Sequence, residues 1–159
     1  MKKTCKLCWG VSSVLGIAIL AMVYMFMIRG SVAESSDGRT AIILEQGERD
    51  LVLEEMRGFL EGVQTITQGL AENDMNSIAE AAKKIGMANA GGVPVALMAK
   101  LPLEFKTLGL ATHKAFDALS MEAQDLGDTK TVLAQMAELM NNCTTCHSTY
   151  RIDAESGKK

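Results

Sequence analysis

Two cysteines and a histidine crowd into five consecutive residues near the carboxy end of this chain. Cys143, Cys146 and His147 stand in the segment NNCTTCHSTYR, although the whole sequence of 159 residues holds four Cys and two His. Thiol and imidazole side chains bind metals, form disulfides, act as nucleophiles and attach cofactors. The spacing of the three residues indicates which of these chemistries applies.

The spacing is the C-x-x-C-H pattern of covalent haem attachment. On a helix, residues three apart share a face, so both thiols can form thioethers to the two vinyl groups of one porphyrin. His147 stands next to Cys146, where its imidazole can turn to the iron. The sequence therefore predicts one covalently attached haem c, held by Cys143 and Cys146, with His147 as an iron ligand.

The other chemistries fit the pattern less well. A structural zinc site needs four ligands, and the fourth would have to be His113, far upstream of the motif. A redox C-x-x-C is expected beside a βαβ pattern, which we do not find, and a catalytic thiol does not need the second cysteine. The sequence also shows no serine-histidine-aspartate set, paired-carboxylate pattern or glycine-rich phosphate loop, so we do not expect an enzyme.

An apolar segment at the amino terminus predicts a membrane anchor. Trp9 to Ile28 carries no charge, and its helical length of about 30 Å matches the hydrocarbon core of a bilayer. Lys2, Lys3 and Lys6 precede it, whereas Arg29 alone follows closely. Since positive residues stay in the cytoplasm, we expect residues 1–30 to span the bacterial inner membrane and the remainder to lie in the periplasm.

Cleavage of this segment is the alternative. Ser31-Val32-Ala33 offers small residues to a signal peptidase, and cleavage near Ala33 would leave a soluble periplasmic protein. The apolar run is longer than most secretory signals, which favours a retained anchor. Cys5 and Cys8 form a second C-x-x-C, but Trp9 follows it, so we assign it no cofactor. Residues 31–38 are small and polar and are predicted to form a linker.

The composition favours helices and argues against nucleic-acid binding. Hydrophobic residues make up 48%, but aromatics are 4%, and two prolines stand against eleven methionines, which is typical of aliphatic helix packing. Because the residues before position 30 include four basic and no acidic ones, the rest of the chain holds 12 basic and 19 acidic residues. Phosphate binding needs a basic surface, which this domain lacks.

Helical periodicity predicts four amphipathic helices after the linker. They are Thr40–Leu70, a helix that begins at Asn73 or Asp74 and ends before Gly91, Pro102–Asp125, and a helix capped by Asp128 that enters the Cys/His motif. Short connections make an antiparallel four-helix bundle the simplest arrangement for a haem-binding domain at 39–159. No strand-like alternation is visible, so the fold class is predicted to be all-α.

The chain resembles the cytochrome c′ family, exported four-helix-bundle cytochromes with haem attached near the end of the last helix. The resemblance rests on GDTKTVLAQMAELMNNCTTCHSTYR, with LPLEF and HKAFDAL upstream, and covers most of residues 39–151. It implies that Cys143 and Cys146 carry the haem, that His147 is the proximal ligand and that Arg151 lies near its proximal side. Members of the family form dimers, so a homodimer is a further expectation.

The residue opposite His147 decides between two functions. In such a bundle the end of the last helix is level with the start of the first and with the connection between the second and third. That layer offers Met56 and Leu53, with Met87 and Met98. Ligation by Met56 raises the reduction potential and favours single-electron transfer with membrane or periplasmic redox proteins. If Leu53 covers a five-coordinate iron, the protein binds NO or CO.

The second histidine of the chain is expected to lie outside the site. His113 falls about eleven residues into the third predicted helix, roughly 16 Å from the haem end by helical rise. We predict that it lies at the surface or beside the haem propionates.

Overall fold

The computed structural model describes residues 6–125 and 127–155, most of which are helical. The helices are α1 (Lys6–Val23), which continues into a π-helical turn (Tyr24–Arg29), α2 (Gln46–Glu72), α3 (Met75–Lys84), α4 (Met87–Ala90), α5 (Val95–Lys100), α6 (Leu103–Asp125) and α7 (Thr129–Thr149). The strands are β1 (Val32–Glu34), β2 (Thr40–Leu44) and β3 (Tyr150–Ala154). The predicted helical character and the apolar amino-terminal helix are confirmed.

Two of the helix starts follow directly from capping residues. Asp74 accepts a hydrogen bond from the Ser77 amide at 3.0 Å, and Asp128 accepts one from the Thr131 amide at 2.9 Å. Each carboxylate satisfies an amide that the first helical turn leaves without a partner. Asn73, with a left-handed φ of 57°, separates α2 from α3. The predicted boundaries at these two positions are confirmed.

Helices α2, α3, α6 and α7 contribute to one hydrophobic core. Its buried members are Ile66, Ile78, Ala79, Ala82, Ile85, Phe116, Leu119, Ala123, Val132, Met136 and Leu139. The close pairings among the described residues join α2 to α3, α3 to α6, and α6 to α7. No comparable pairing joins α2 to α7 among the described residues, so these two long helices are not in tight contact.

The face of α2 that packs on α3 is marked by two glycines. A Cβ added to Gly62 would overlap the Cδ1 atom of Ile85, and one added to Gly69 would lie 2.7 Å from Cγ1 of Ile78. Both glycines are buried. The absence of a side chain at these positions lets α3 approach the backbone of α2.

A small sheet closes the end of the molecule where α2 begins and α7 ends. Strand β2 pairs antiparallel with β1, with Val32 opposite Ile42, and parallel with β3, with Thr40 opposite Tyr150. At the other end of the same two helices, the Thr129 hydroxyl donates to the Asn73 side chain at 3.2 Å. The two long helices α2 and α7 are therefore linked at both ends.

The sheet corrects three details of the sequence prediction. Strands are present, so the expectation of a purely helical fold was wrong in detail. Thr40–Leu44 forms β2 and not the start of the first helix, because its β-branched residues pair with β3 and bury Ala41, Ile42 and Leu44. The segment 31–38, expected as a linker, contains β1.

The second predicted helix is also divided in two. It breaks between α3 and α4 at Gly86, where Asp117 of α6 accepts a hydrogen bond from the Met87 amide at 3.1 Å. The unpredicted helix α5 then covers a second apolar cluster formed by Ile42, Leu44, Val52, Leu97 and Leu101. The connection between the second and third predicted helices is therefore a folded segment.

The amino-terminal helix is long and apolar enough to cross a membrane. The qualifying stretch, Cys8–Arg29, has 22 residues and includes the π-helical turn. Its large apolar side chains, such as those of Trp9 and Leu20, are exposed. Lys2, Lys3 and Cys5, on which the orientation and the second C-x-x-C depended, lie outside the described residues.

Candidate haem-binding site

The Cys/His motif continues the buried stripe of α7. Val132, Met136 and Leu139 are fully or nearly buried, and Cys143 follows at the same helical spacing and packs against the core. His147 is four residues further on, about 40° around the helix from Cys143. Cys146 is half-buried and His147 is exposed. The inward face of α7 is therefore uncovered at its last turn.

Burial affects the chemistry of both thiols. Desolvation raises the pKa of Cys143, and desolvation together with the neighbouring Cys143 raises the pKa of Cys146. Both are neutral at physiological pH, which makes them weak nucleophiles and weak metal ligands. Neither is in a disulfide. Among the described residues, no group of three or more His, Cys, Asp or Glu side chains is arranged to hold a metal ion.

The end of α7 is held by an arginine that sequence reasoning missed. Arg39, just before β2, donates to the backbone carbonyls of His147 at 3.3 Å and Tyr150 at 3.4 Å. These are carbonyls of the type that a helix end leaves unpaired. Asp37 holds the guanidinium with two hydrogen bonds. No local signal could reveal this cap, because Arg39 and Tyr150 are 111 positions apart.

Arg151 belongs to the same charged cluster. Its guanidinium lies 2.9 Å from the Asp153 carboxylate and 3.4 Å from Asp37. Hydrogen bonds from Arg39 and Ser35 hold the pKa of Asp37 well below its ordinary value, so the carboxylate is charged throughout the physiological range. Arg151 therefore lies four residues after His147, in strand β3 just beyond the end of α7.

Tyr150 packs between α7 and the start of α6. Its hydroxyl donates to Glu104 at 3.2 Å, and its ring meets that of Phe105 edge-on with centroids 5.5 Å apart. Burial and the bond to Glu104 raise the pKa of Tyr150. Beside these residues lies a groove of about 390 Å³ that Thr145 and Thr149 also line. Tyr150 therefore ties the motif to α6.

Met56 and Leu53 lie on the opposite side of α2 from the two glycines that contact α3. Met56 falls near the inward stripe of Val52 and Val63, whereas Leu53 is turned further outward. Both are half-buried. Leu60, one helical heptad after Leu53, is 69% exposed. This flank of α2 is therefore apolar and only partly covered.

The matching flank of α7 is also apolar. Gln135 marks the flank that faces α6, since its amide donates to Glu122 at 3.3 Å. The opposite flank carries Leu133, Met140 and His147, spaced seven residues apart; Leu133 is 56% and Met140 44% exposed. We call this region the α2–α7 seam, formed by Leu53, Met56, Leu60, Leu133, Met140 and His147.

The levels of the residues along the seam follow from the contact between Thr129 and Asn73. Two antiparallel α-helices rise equally per residue, so Met56 lies as far from Asn73 as Cys146 lies from Thr129. Met56 is therefore level with Cys146 and adjacent to the level of His147. Leu53 falls level with Thr149, one turn nearer the sheet.

The other predicted methionines lie away from the seam. Met98 lines a cavity of about 590 Å³ between α2, α6 and the segment that carries α5. The backbone amide of Met87 is bound to Asp117 of α6. Neither residue shares a flank with His147, whereas the count of helical rise puts Met56 and Leu53 near the level of the motif.

The prediction that His113 lies at the surface was wrong, and its alternative position beside the haem propionates stays a prediction. His113 is 4% exposed and bridges three elements. Its Nδ1 lies 2.8 Å from the Ile85 carbonyl at the end of α3, its Nε2 lies 3.2 Å from the Glu55 carboxylate, and its ring contacts Phe59 with centroids 4.9 Å apart. Because α3 ends early, its last carbonyl needs a donor, and His113 supplies it.

No protein-family model matches this sequence, and neither a curated protein nor a solved structure shows significant similarity to it.

Proposed function

We propose that the chain is a membrane-tethered, periplasm-facing mono-haem c-type cytochrome that transfers single electrons, and that α2, α3, α6 and α7 form an antiparallel bundle of the cytochrome c′ type. The observation that carries the proposal is the uncovered end of the α7 stripe. Cys143 and Cys146 are half-buried there, His147 lies on the apolar α2–α7 seam, and helical rise puts Met56 at the level of Cys146. This arrangement fits one porphyrin between two helices that lack tight contact.

Four residues would hold the cofactor. Cys143 and Cys146 would form the two thioethers, and His147 and Met56 would be the iron ligands. An iron porphyrin with this Met/His pair supplies a single-electron couple of raised reduction potential.

The surrounding residues would keep the site fixed between oxidation states. Arg39 holds the carbonyl of His147, and Tyr150 is bound to Glu104 and Phe105, so the last turn of α7 is tied to the sheet and to α6. The aliphatic side chains of the seam would exclude water from the iron. A rigid, dry site changes little when its charge changes, which favours electron transfer. Redox proteins of the membrane or periplasm are the corresponding partners.

The contacts of the residues that follow the apolar helix support a retained membrane anchor. The Ser31 amide donates to the Lys100 carbonyl at 2.7 Å, and Val32 already pairs with β2. Residues on both sides of the alternative cleavage position at Ala33 are therefore part of the folded structure. This argues for a retained anchor at 1–30.

The test of the proposal is covalent incorporation of haem. The full-length protein should be produced in a host with c-type attachment machinery, and its intact mass should exceed that of the polypeptide by one haem, with colour that resists acid-acetone extraction. Cys143→Ala and Cys146→Ala should lose the double linkage. Cys8→Ala is the matched control, since it alters the other C-x-x-C and should leave incorporation unchanged. Extraction of all colour from the unaltered protein would refute the proposal.

A further inference from the structure

The end of the apolar helix is packed against the start of α6 and against α5. The Lys106 ammonium donates to the Met27 carbonyl at 3.0 Å, within the π-helical turn. Ser31 is bonded to Lys100, the last residue of α5. The amino-terminal helix therefore continues into the domain through direct contacts.

Gly30 makes this junction close and rigid. Its φ is +68°, and a Cβ at this position would lie 2.5 Å from the Lys100 carbonyl oxygen and 2.7 Å from the Leu101 carbonyl carbon. A side chain is thus excluded both by conformation and by space. The next residues pair with β2, so no flexible segment separates the helix from the sheet.

The junction sets the depth of the domain. The 22 residues from Cys8 to Arg29 span about 33 Å as a helix, which matches the hydrocarbon core of a bilayer. Met27 lies within one turn of the end of this stretch. The ammonium of Lys106, bonded to Met27, would therefore lie at the level of the lipid headgroups, where long basic side chains are favoured.

Helix α5 has an apolar outer face next to this junction. Val95 is 86% exposed, and Leu103, at the start of α6, is 48% exposed. Ala99 follows Val95 by one turn on the same face, and α5 contacts the π-helical turn. The opposite face of α5 is buried through Leu97. Among the residues that the structure describes, no element covers this outer face, and α5 adjoins the end of the membrane-spanning stretch.

We propose that Pro94–Lys106, which we call the α5–α6 corner, is a lipid-contacting surface, with Val95 inserted at the boundary of headgroups and acyl chains and Lys106 among the phosphates. The inference rests on the membrane tether of the proposed function and names the bilayer as the occupant of this face. The bilayer is the expected occupant because this face adjoins the spanning helix. A protein partner there would have to displace lipid.

The corner also orients the candidate haem site. Tyr150, three residues after His147, is bonded to Glu104 and packs on Phe105, both of which lie in the corner's last turn. The motif therefore lies at the membrane-proximal end of the domain. This position suits exchange of electrons with an integral membrane redox protein.

Site-directed spin labelling of the haem-loaded full chain in liposomes tests the inference. In a Cys5→Ser, Cys8→Ser background, a nitroxide at Val95→Cys should collide more with oxygen, which concentrates in lipid, than with a water-soluble nickel chelate. The matched control is Met121→Cys, since Met121 is 59% exposed near the far end of α6. The control nitroxide should show the opposite preference.

Two results would overturn the inference and can be told apart. If the protein resists alkaline carbonate extraction but the Val95 nitroxide behaves like the Met121 nitroxide, the tether stands and the corner does not contact lipid. If carbonate releases the protein, the tether itself is wrong, and the corner loses its basis with it.

Discussion

At the scale of single residues, the level of Met56 along the seam leads to a spectroscopic prediction. Met56→Ala should remove a thioether ligand, so the ferric protein should lose its sulfur-to-iron charge-transfer band and the ferrous protein should bind CO readily. Leu53→Ala is the control, because Leu53 is one turn away from the level of Cys146 and should leave the spectrum unchanged.

The opposite pattern would favour the other function. A high-spin ferrous form in the unaltered protein, or a spectrum insensitive to Met56→Ala, would indicate a five-coordinate iron. The protein would then be a carrier or sensor of NO or CO, with Leu53 on the distal side.

His113 provides a second prediction at this scale, which concerns stability. Both of its ring nitrogens face acceptors, the Ile85 carbonyl and the Glu55 carboxylate, so the ring can donate to both only when it is protonated. Burial lowers the pKa of His113, but the bonds to Glu55 and Ile85 outweigh it, and the pKa is raised overall. The ion pair therefore stabilises the fold when the ring is charged.

Glu55→Gln should remove the contribution of the His113–Glu55 ion pair to the free energy of unfolding. Because the folded pKa of His113 is raised, the stabilisation is fully present below the unfolded value of about 6.5 and is lost as the pH rises through the folded value. We expect the variant to lose about 1–3 kcal/mol of unfolding free energy at pH 5.5–6.5, and less at higher pH. Urea unfolding measures this, with the exposed neighbour Glu54→Gln as control; an equal loss at every pH would contradict the ion pair.

At the scale of the elements, two glycines of α2 lead to opposite predictions for substitution by alanine. Gly69→Ala should destabilise the protein by about 1–3 kcal/mol, since its Cβ would crowd Ile78 of α3 and the Asp74 carbonyl. Gly58→Ala, in the same helix with open space around it, should stabilise by up to about 1 kcal/mol. Thermal unfolding of the two variants checks the prediction, and a stabilising Gly69→Ala would show that α3 is not held at this distance.

The elements also show what sequence patterns could and could not provide. The starts of α3 and α7 were predictable, because Asp74 and Asp128 act on amides within three residues. The end of α6 at Asp125 was predictable from the glycine that follows. Strand β2 was not, since its partner β3 is far away in the sequence, and its apolar residues read equally well as the start of a helix.

The candidate site divides in the same way. The motif Cys143–His147 is local, so spacing alone leads to the haem prediction, which the test of covalent incorporation decides. The Arg39 cap, the buried position of His113 and the seam depend on which helices pack closely, and helical periodicity does not specify that. Met56 could be named from the sequence, but its level opposite Cys146 required the contact between Asn73 and Thr129.

At the scale of the whole molecule, the amino-terminal helix predicts a membrane-bound protein with an external domain. The full chain should remain in the membrane pellet after alkaline carbonate treatment, because about twenty apolar residues are enough to span the bilayer. Protease added to intact spheroplasts should digest the domain that follows Arg29. Release by carbonate would indicate cleavage, and protection from protease would place the domain in the cytoplasm.

The pairing of β2 with β3 has a consequence for the order of events during biogenesis. It joins segments more than a hundred positions apart, and such distant pairings form late because closing a large loop costs entropy. On the proposed function, β3 follows the motif through the translocation channel, so the two thiols would be accessible to a maturation enzyme before the sheet fixes the end of α7. Folding and maturation would then be timed by the same slow step.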